Sequence, residues 1–299
     1  MLGWGVCLCL FQGASAVGLT GLPNAAAPSQ EAPAVAVELD QRTAAAPHFF
    51  ADHQLTLGLR VYGAQGRRID LRVQPFLLNA TRAVPVGDAL AVVDDAQLGE
   101  RAWHELPFTL DAPSLEPKRE TAVTCELRFS VRYSGETEWR AAGRDRIELY
   151  PADLLGPLRA LGGRGELFVA DDAGSLADFL RASEVLFHDL RTPGGAAALH
   201  RLKTRVGPRR PVLLWVRSEV AKPTLRAPRS LLAEIDNLVV FERPPDDFPY
   251  TTLRLEPERT TVSVDIATIS ALAHAPRAQQ LLVRAARLAR TDARAESLR

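Results

Sequence analysis

The stretch 123-VTCELRFSVRY-133 indicates the fold class of the first half of the chain. Its odd-numbered positions from Val123 to Val131 carry apolar side chains or the Cys125 thiol, while its even-numbered positions carry Thr, Glu, Arg and Ser. Because alternate side chains of a strand point to opposite faces, this period of two places one face in a core and the other in water. The stretch therefore predicts a long, half-buried β-strand.

The same alternation is found earlier in the chain. It is clear in residues 54–62 and 69–73, and weaker in residues 104–110. The first two segments are separated by the glycine-containing loop 63–66, which is typical of a hairpin turn. Residues 34–39 have the composition of a first edge strand.

Further strands are predicted on the C-terminal side of residue 133. A turn through Gly135 predicts a partner strand near Trp139, and Ile147 and Leu149 indicate a last strand. Several strands separated by turn residues, without a helical period, predict an antiparallel, Ig-like β-sandwich. We assign this sandwich to residues 48–150.

The pattern changes at Tyr150-Pro151, where short apolar runs begin to alternate with helical segments. This order predicts an α/β domain with a mostly parallel sheet over residues 151–299, so that the chain is α+β with two domains. The order of elements is similar to that of flavodoxin-like and class I glutamine amidotransferase-like domains. Predicted strands are 166–170, 185–187, 211–216 and 238–241, and residues 251–255 and 261–264 form a predicted hairpin. A short helical segment is predicted to open at 153–155; further predicted helical elements are 175–182, 196–206, a helical turn at 230–235 and a helix beginning at Pro276.

The N-terminal segment predicts export. Residues 2–11 are an uncharged apolar run followed by Ala14-Ser15-Ala16, the small-residue pattern of a signal-peptide cleavage site. We therefore expect residues 1–16 to be a signal peptide and the protein to be periplasmic or extracellular, with a cytoplasmic product as the alternative. Residues 17–47 are rich in Ala and Pro and predict a flexible leader.

The composition limits the class of protein. Of the 36 basic residues, only Lys118, Lys203 and Lys222 are lysine, which suggests a GC-rich, bacterial coding sequence. The 36 acidic residues balance the basic ones, so a nucleic-acid partner is not expected. No later apolar run is long enough to span a membrane. Cleavage after residue 16 would leave Cys125 as the only cysteine, on the apolar face of its strand.

The strongest candidate site follows the first strand of the predicted parallel sheet. Asp171 and Asp172 stand at its carboxyl edge, where α/β proteins bind ligands, and paired carboxylates can serve as acid and base or hold a metal. The competing interpretation is structural: Ser175 and Asp178 form a capping box, with Gly174 in the turn. His188 follows the second predicted strand and is the third weak catalytic candidate.

Other candidates are weaker. Ser218 follows the third predicted strand but lacks the flanking glycines of a nucleophile elbow. Thr192-Pro193 fits a helix cap better than an anion site. The spacing of arginines in the last predicted helix indicates a stripe of exposed basic side chains. A loop that could contact an anion or a partner carries Arg217, Lys222, Arg226 and Arg229.

No complete catalytic constellation, cofactor motif or metal motif is recognisable in the sequence. The leading hypothesis is therefore a non-enzymatic exported protein that acts through contacts with a protein or an envelope component. The alternative is a hydrolase or metal-dependent enzyme that uses Asp171, Asp172 and His188 at the carboxyl edge of the α/β sheet.

Overall fold

The computed structural model describes residues 34–45, 47–80, 82–115, 121–204, 211–217, 235–243, 251–255 and 260–290. These residues form an α+β structure in which strands predominate. The elements are β1 Ala36–Leu39, α1 Gln41–Ala45, β2 His48–Phe50, β3 Gln54–Tyr62, β4 Arg68–Asn79, β5 Arg82–Pro85, β6 Leu90–Gln97, β7 Trp103–Asp111, β8 Val123–Tyr133, β9 Arg140–Tyr150, α2 Gly156–Gly163, β10 Leu167–Asp171, α3 Ser175–Ala182, β11 His188–Asp189, α4 Pro193–Thr204, β12 Val212–Val216, β13 Asn237–Glu242, β14 Thr251–Leu255, β15 Thr260–Asp265, α5 Ala267–Ala271 and α6 Pro276–Arg290.

Strands β1 to β9 belong to two sheets. The smaller sheet has the order β1-β3-β7 and is antiparallel throughout. The larger has the order β2-β9-β8-β4-β5, with β6 also paired to β4, and only its β2–β9 pair is parallel. Side chains from both sheets contribute to a single buried cluster, which includes Leu57, Leu59, Leu71, Leu127 and Phe129. The alternation seen in the sequence thus supplies one common core.

The predicted hairpin at residues 63–66 is wrong. Strands β3 and β4 flank this loop, yet β3 pairs with β1 and β7 while β4 pairs with β5, β6 and β8. The loop instead carries the chain from one sheet to the other, because both strands contribute their apolar faces to the same core.

Several strand boundaries also differ from the prediction. Strands β5 and β6 were not predicted, because their sequences do not alternate cleanly. The two predicted strands after residue 133 are one continuous strand, β9, whose pairing with β8 is interrupted by a bulge beside Gly143. Strand β1 lies at the edge of its sheet and confirms the edge strand predicted at residues 34–39, whereas helix α1 lies in the part of 17–47 that was predicted to be a flexible leader. The predicted signal peptide lies outside the described residues.

The later strands form a mostly parallel sheet of order β11-β10-β12-β13-β15-β14. Only β14 is antiparallel, and it pairs with β15 as the predicted hairpin requires. Buried clusters cover both faces. One contains Val169, Leu214 and residues of α6, and the other contains Phe168 and Leu213. Burial on both faces explains why these strands are continuous apolar runs and do not alternate.

Two elements of this region differ from the sequence prediction. The second strand, β11, consists of His188 and Asp189 and does not include residues 185–187, so His188 lies within the strand. The short helical segment that was predicted to open at 153–155 is helix α2, which begins slightly later, at Gly156. The predicted helical turn at 230–235 lies almost wholly outside the described residues.

Helix α6 contacts elements from both ends of the chain. It packs on β12, β13 and β15 of the parallel sheet and also contacts β2 of the larger antiparallel sheet. Near its C-terminal end, Arg290 lies 3.3 Å from the carboxylate of Glu166. No helix among the described residues is long and apolar enough to cross a membrane.

Candidate functional site

Asp171 is fully buried at the carboxyl end of β10. Its Oδ2 accepts hydrogen bonds from the backbone N–H groups of Leu176, at 2.7 Å, and Ala177, at 3.2 Å. Both amides belong to the first turn of α3, where no intrahelical acceptor is available. The carboxylate therefore fastens the start of this helix to the end of the strand.

The predicted capping box at this turn is wrong. The N-cap residue of α3 is Gly174, which has a φ of 87°, and no side chain caps the helix from that position. Ser175 is the first helical residue, and Asp178 forms an ion pair with Arg181. The capping function that we assigned to Ser175 is performed by Asp171, four residues earlier in the chain.

Asp172 is half-buried beside this turn. Burial raises the pKa of its carboxyl group, and the nearby charge of Asp171 raises it further, while the Arg191 guanidinium opposes both effects. A raised carboxyl pKa is typical of catalytic acids, so this property of Asp172 is consistent with a catalytic role.

Asp189 and Arg191 form an ion pair close to Asp172. The Arg191 guanidinium donates to both carboxylate oxygens of Asp189, with the shortest contact at 2.6 Å, and Arg181 lies 3.3 Å from the same carboxylate. Hydrogen bonds from Arg191 lower the pKa of Asp189. The charge of Arg191 is therefore largely satisfied within the chain.

His188 lies away from the two aspartates. It is paired in register with Phe168 and its ring is 5.1 Å from the Phe168 ring. Asp171 is three residues further along β10, about 10 Å away at the usual rise of a strand, and points to the opposite face of the sheet. The structure therefore brings Asp171 and Asp172 together at one edge and leaves His188 apart.

The remaining candidates fall into three groups. Thr192 caps α4 as predicted, because its Oγ1 accepts from the backbone N–H of Gly195 at 3.1 Å. Arg217 forms an ion pair with Glu242 at 3.2 Å. Ser218, Lys222, Arg226 and Arg229 lie outside the described residues. Within the described part of the chain, no group of three or more His, Cys, Asp or Glu side chains could hold a metal ion.

A second polar surface, which sequence reasoning missed, lies on the solvent side of β4, β8 and β9. The pairing register of these three strands aligns their outward side chains in rows. We call this surface the arginine face; it consists of Arg72 and Phe76 on β4, Arg128 and Arg132 on β8, Arg144 and Arg146 on β9, and Trp139 just before β9.

Aromatic rings hold several of these arginines in place. The guanidinium carbon of Arg72 lies 4.1 Å from the centre of the Trp139 ring, and that of Arg132 lies 4.9 Å from it. Arg128 lies 3.9 Å from the centre of the Phe76 ring. Cation–π stacking of this kind orients the planar guanidinium groups and reduces the freedom that they would lose on binding.

Two carboxylates lie beneath the arginines. Asp70 accepts from Arg132 at 2.6 Å, and Glu126 accepts from Arg128 at 2.9 Å and Arg146 at 3.4 Å. The Asp70 and Glu126 side chains are 11% and 5% exposed, whereas those of Arg132, Arg128 and Arg146 are 35%, 46% and 64% exposed. The outermost layer of this surface is therefore formed by guanidinium groups.

The even-numbered arginines of β8 and β9 are visible in the sequence, but the sequence gives no indication that they share a surface. That follows only from the register, which places Arg128 directly opposite Arg144 and Glu126 opposite Arg146.

Comparisons with known proteins identify no family. No family model and no curated protein matches the chain. The sporulation control protein Spo0M from Bacillus subtilis is 13% identical over 50% of this chain and 55% of its own, with a TM-score of 0.27. The CooA pilin subunit from enterotoxigenic Escherichia coli is 10% identical over 40% of this chain and 97% of its own, with a TM-score of 0.26. The chain thus spans about half the length of Spo0M, and such low TM-scores support no inference about function.

Proposed function

We propose that this protein is a non-enzymatic, exported binding protein that acts through contacts with another protein or an envelope component. The proposal rests on one observation: carboxylates at the candidate site bind groups of the chain itself. Asp171 binds the first turn of α3, and Asp189 binds Arg191 and Arg181. These contacts give Asp171 and Asp189 structural roles at this edge of the sheet, and only Oδ1 of Asp171 is buried there without a hydrogen-bond partner among the described residues.

The alternative is a hydrolase or metal-dependent enzyme with its site at the carboxyl edge of the parallel sheet. The raised pKa of Asp172 favours this alternative, because a general acid must retain its proton near the working pH. The position of His188 counts against it, since the histidine and Asp171 lie on opposite faces of the sheet.

A metal titration distinguishes the two functions. Calorimetric titration of the purified protein with Zn²⁺, Mg²⁺ and Mn²⁺ should show no saturable binding at one ion per chain, and Asp172→Asn should give the same trace. Stoichiometric binding that is lost in Asp172→Asn would contradict our proposal and establish the metal-dependent alternative.

The proposal includes a two-domain architecture, with an Ig-like sandwich over residues 48–150 and a flavodoxin-like or amidotransferase-like domain over residues 151–299. It is supported by the separate buried clusters of the two regions. Limited proteolysis that releases a stable fragment ending near Tyr150 would support this division, and cleavage only at other positions would argue against it.

Export is supported by the sequence pattern of residues 1–16. Expression in a bacterium followed by N-terminal sequencing tests it. A periplasmic product that begins at Val17 is the expected result, whereas an intact cytoplasmic chain would contradict export.

A further inference from the structure

We propose that the arginine face is a docking surface for an acidic peptide segment of a partner protein. The inference rests on the proposed binding function and specifies its surface and the chemistry of its partner. Three observations support it. Guanidinium groups lie above nearly buried carboxylates, aromatic rings stack on several arginines, and two arginines lie directly opposite each other on neighbouring strands.

The layering of charge leaves the surface cationic. Three of its five arginines, Arg128, Arg132 and Arg146, pair with the carboxylates of Asp70 and Glu126, which are both nearly buried. A partner approaching from solvent therefore meets these guanidinium groups before it meets Asp70 or Glu126. Guanidinium groups bind carboxylates through paired, parallel hydrogen bonds, which matches them to Asp and Glu side chains.

The pairing of β8 with β9 places Arg128 directly opposite Arg144. Like charges at directly opposed positions destabilise a sheet. Arg128 is relieved by Glu126, but among the described residues no carboxylate lies within ion-pair distance of Arg144. An external carboxylate between the two arginines would remove this repulsion.

The aromatic residues make the surface suited to a protein partner. Trp and Arg are enriched among the residues that dominate binding energy at protein interfaces. Trp139 is half-buried between two guanidinium groups, so that both residue types are already ordered before a partner arrives. Preordered side chains lose less entropy on association.

The chain's own termini are poor candidates for the occupant. Residues 1–33 contain a single acidic residue, Glu31, and residues 291–299 carry as many basic residues as acidic ones. Glu148 is acidic and lies at one end of the face, but it already accepts a hydrogen bond from Tyr150, and its carboxylate lies 3.0 Å from Nδ1 of His48. The charge of the surface is thus matched to an acidic segment of a partner protein.

The test uses the full-length protein and a fluorescein-labelled 12-residue peptide with Glu at every second position and Ser between. The matched probe has Gln in place of Glu. We expect anisotropy titrations at low salt to show saturable binding of the Glu peptide only, with affinity that falls as salt is added.

Variants locate the binding surface. The double variant Arg144→Gln/Arg146→Gln should weaken binding by about tenfold or more, and Trp139→Leu should also weaken it. The matched control, Arg101→Gln/Arg284→Gln, removes the same charge from exposed positions outside the face and should bind as the wild type does. Circular dichroism establishes that each variant is folded.

Three results would overturn the proposal. They are equal binding of the Glu and Gln peptides, equal losses in the double variant and its control, and binding of dextran sulfate at the arginine face without binding of the Glu peptide. Each of them leaves the metal titration unaffected, so failure of this inference is distinguishable from failure of the proposed function.

Discussion

At the scale of single residues, the buried Asp171 shows how a site-like motif can be structural. Two adjacent carboxylates after a parallel strand are typical of a ligand site, but one of them accepts two backbone hydrogen bonds from α3. The second carboxylate, Asp172, accepts none of these bonds and keeps a raised pKa through burial. Neighbouring aspartates therefore contribute differently to stability.

Asp171→Ala should lower the free energy of unfolding by about 1–3 kcal/mol, because two helical N–H groups lose their acceptor in a buried environment. Urea denaturation followed by far-UV circular dichroism measures the change. Asp172→Asn is the matched control and should change the stability by less than about 0.5 kcal/mol. Equal losses in the two variants would show that Asp171 is not the dominant cap.

At the scale of elements, ion pairs connect the edge strand β11 to its neighbours. Asp189 on β11 binds Arg191 in the following turn and Arg181 at the end of α3. The first turn of α4 is held independently, by the Thr192 cap. Since β11 has only two residues, its backbone pairing is short, and these ion pairs add to the contacts that position it.

The ion pair of Asp189 makes the free energy of unfolding depend on pH. The folded-state pKa of Asp189 lies below its ordinary value, near 3.9, so its ionised form stabilises the fold above that value and this stability is lost as the pH falls through the folded-state pKa. Asp189→Asn should therefore lower the free energy of unfolding by about 1–3 kcal/mol at pH 7, and the deficit should shrink below about pH 4.

Urea titrations of the wild type and Asp189→Asn at pH 3, 5 and 7 measure this deficit. Glu136→Gln is a control, because Glu136 forms an exposed pair with Arg140 and should contribute little at any pH. A deficit in Asp189→Asn that is the same at pH 3 and pH 7 would contradict the assigned ion pair.

At the scale of the whole molecule, helix α6 connects regions that are distant in sequence. It packs against the parallel sheet and also contacts β2 of the larger antiparallel sheet. Arg277 near its start lies close enough to Tyr150 to affect the phenol electrostatically. We therefore expect a substitution in the buried side of α6 to destabilise the antiparallel sheets as well.

Leu282→Ala tests this coupling. Leu282 is fully buried in α6, and its truncation should cost about 2–5 kcal/mol. Cys125 reports on the antiparallel core, because burial raises the pKa of its thiol to about 11 and keeps it unreactive in the folded protein. Cooperative unfolding predicts faster alkylation of Cys125 in Leu282→Ala, quantified by mass spectrometry of the Cys125 peptide.

Arg284→Ala, at an exposed position of the same helix, should leave the alkylation rate unchanged. If Leu282→Ala lost helical signal with no change at Cys125, the parallel sheet would unfold independently of the antiparallel sheets.

Local patterns in the sequence were sufficient to predict the type and limits of the most regular elements. The alternation in 123–133 corresponds to β8, the helical segment 175–182 to α3, and Pro276 to the first residue of α6. These features depend on local periods of two or 3.6 residues and on Pro at a helix start, which a short stretch of chain contains in full.

The sheet that each strand joins, and its pairing register, could not be predicted from local sequence. The local sequence at 63–66 suits a hairpin, but the shared core sends β3 and β4 to different sheets. Likewise, Asp171 and His188 were predicted at one edge, but the register of β10 with β11 pairs His188 with Phe168, three residues before Asp171. The arginine face exists because the register of β8 with β9 aligns Arg128 with Arg144. Sheet membership and register depend on burial shared between distant segments, and no local pattern encodes that.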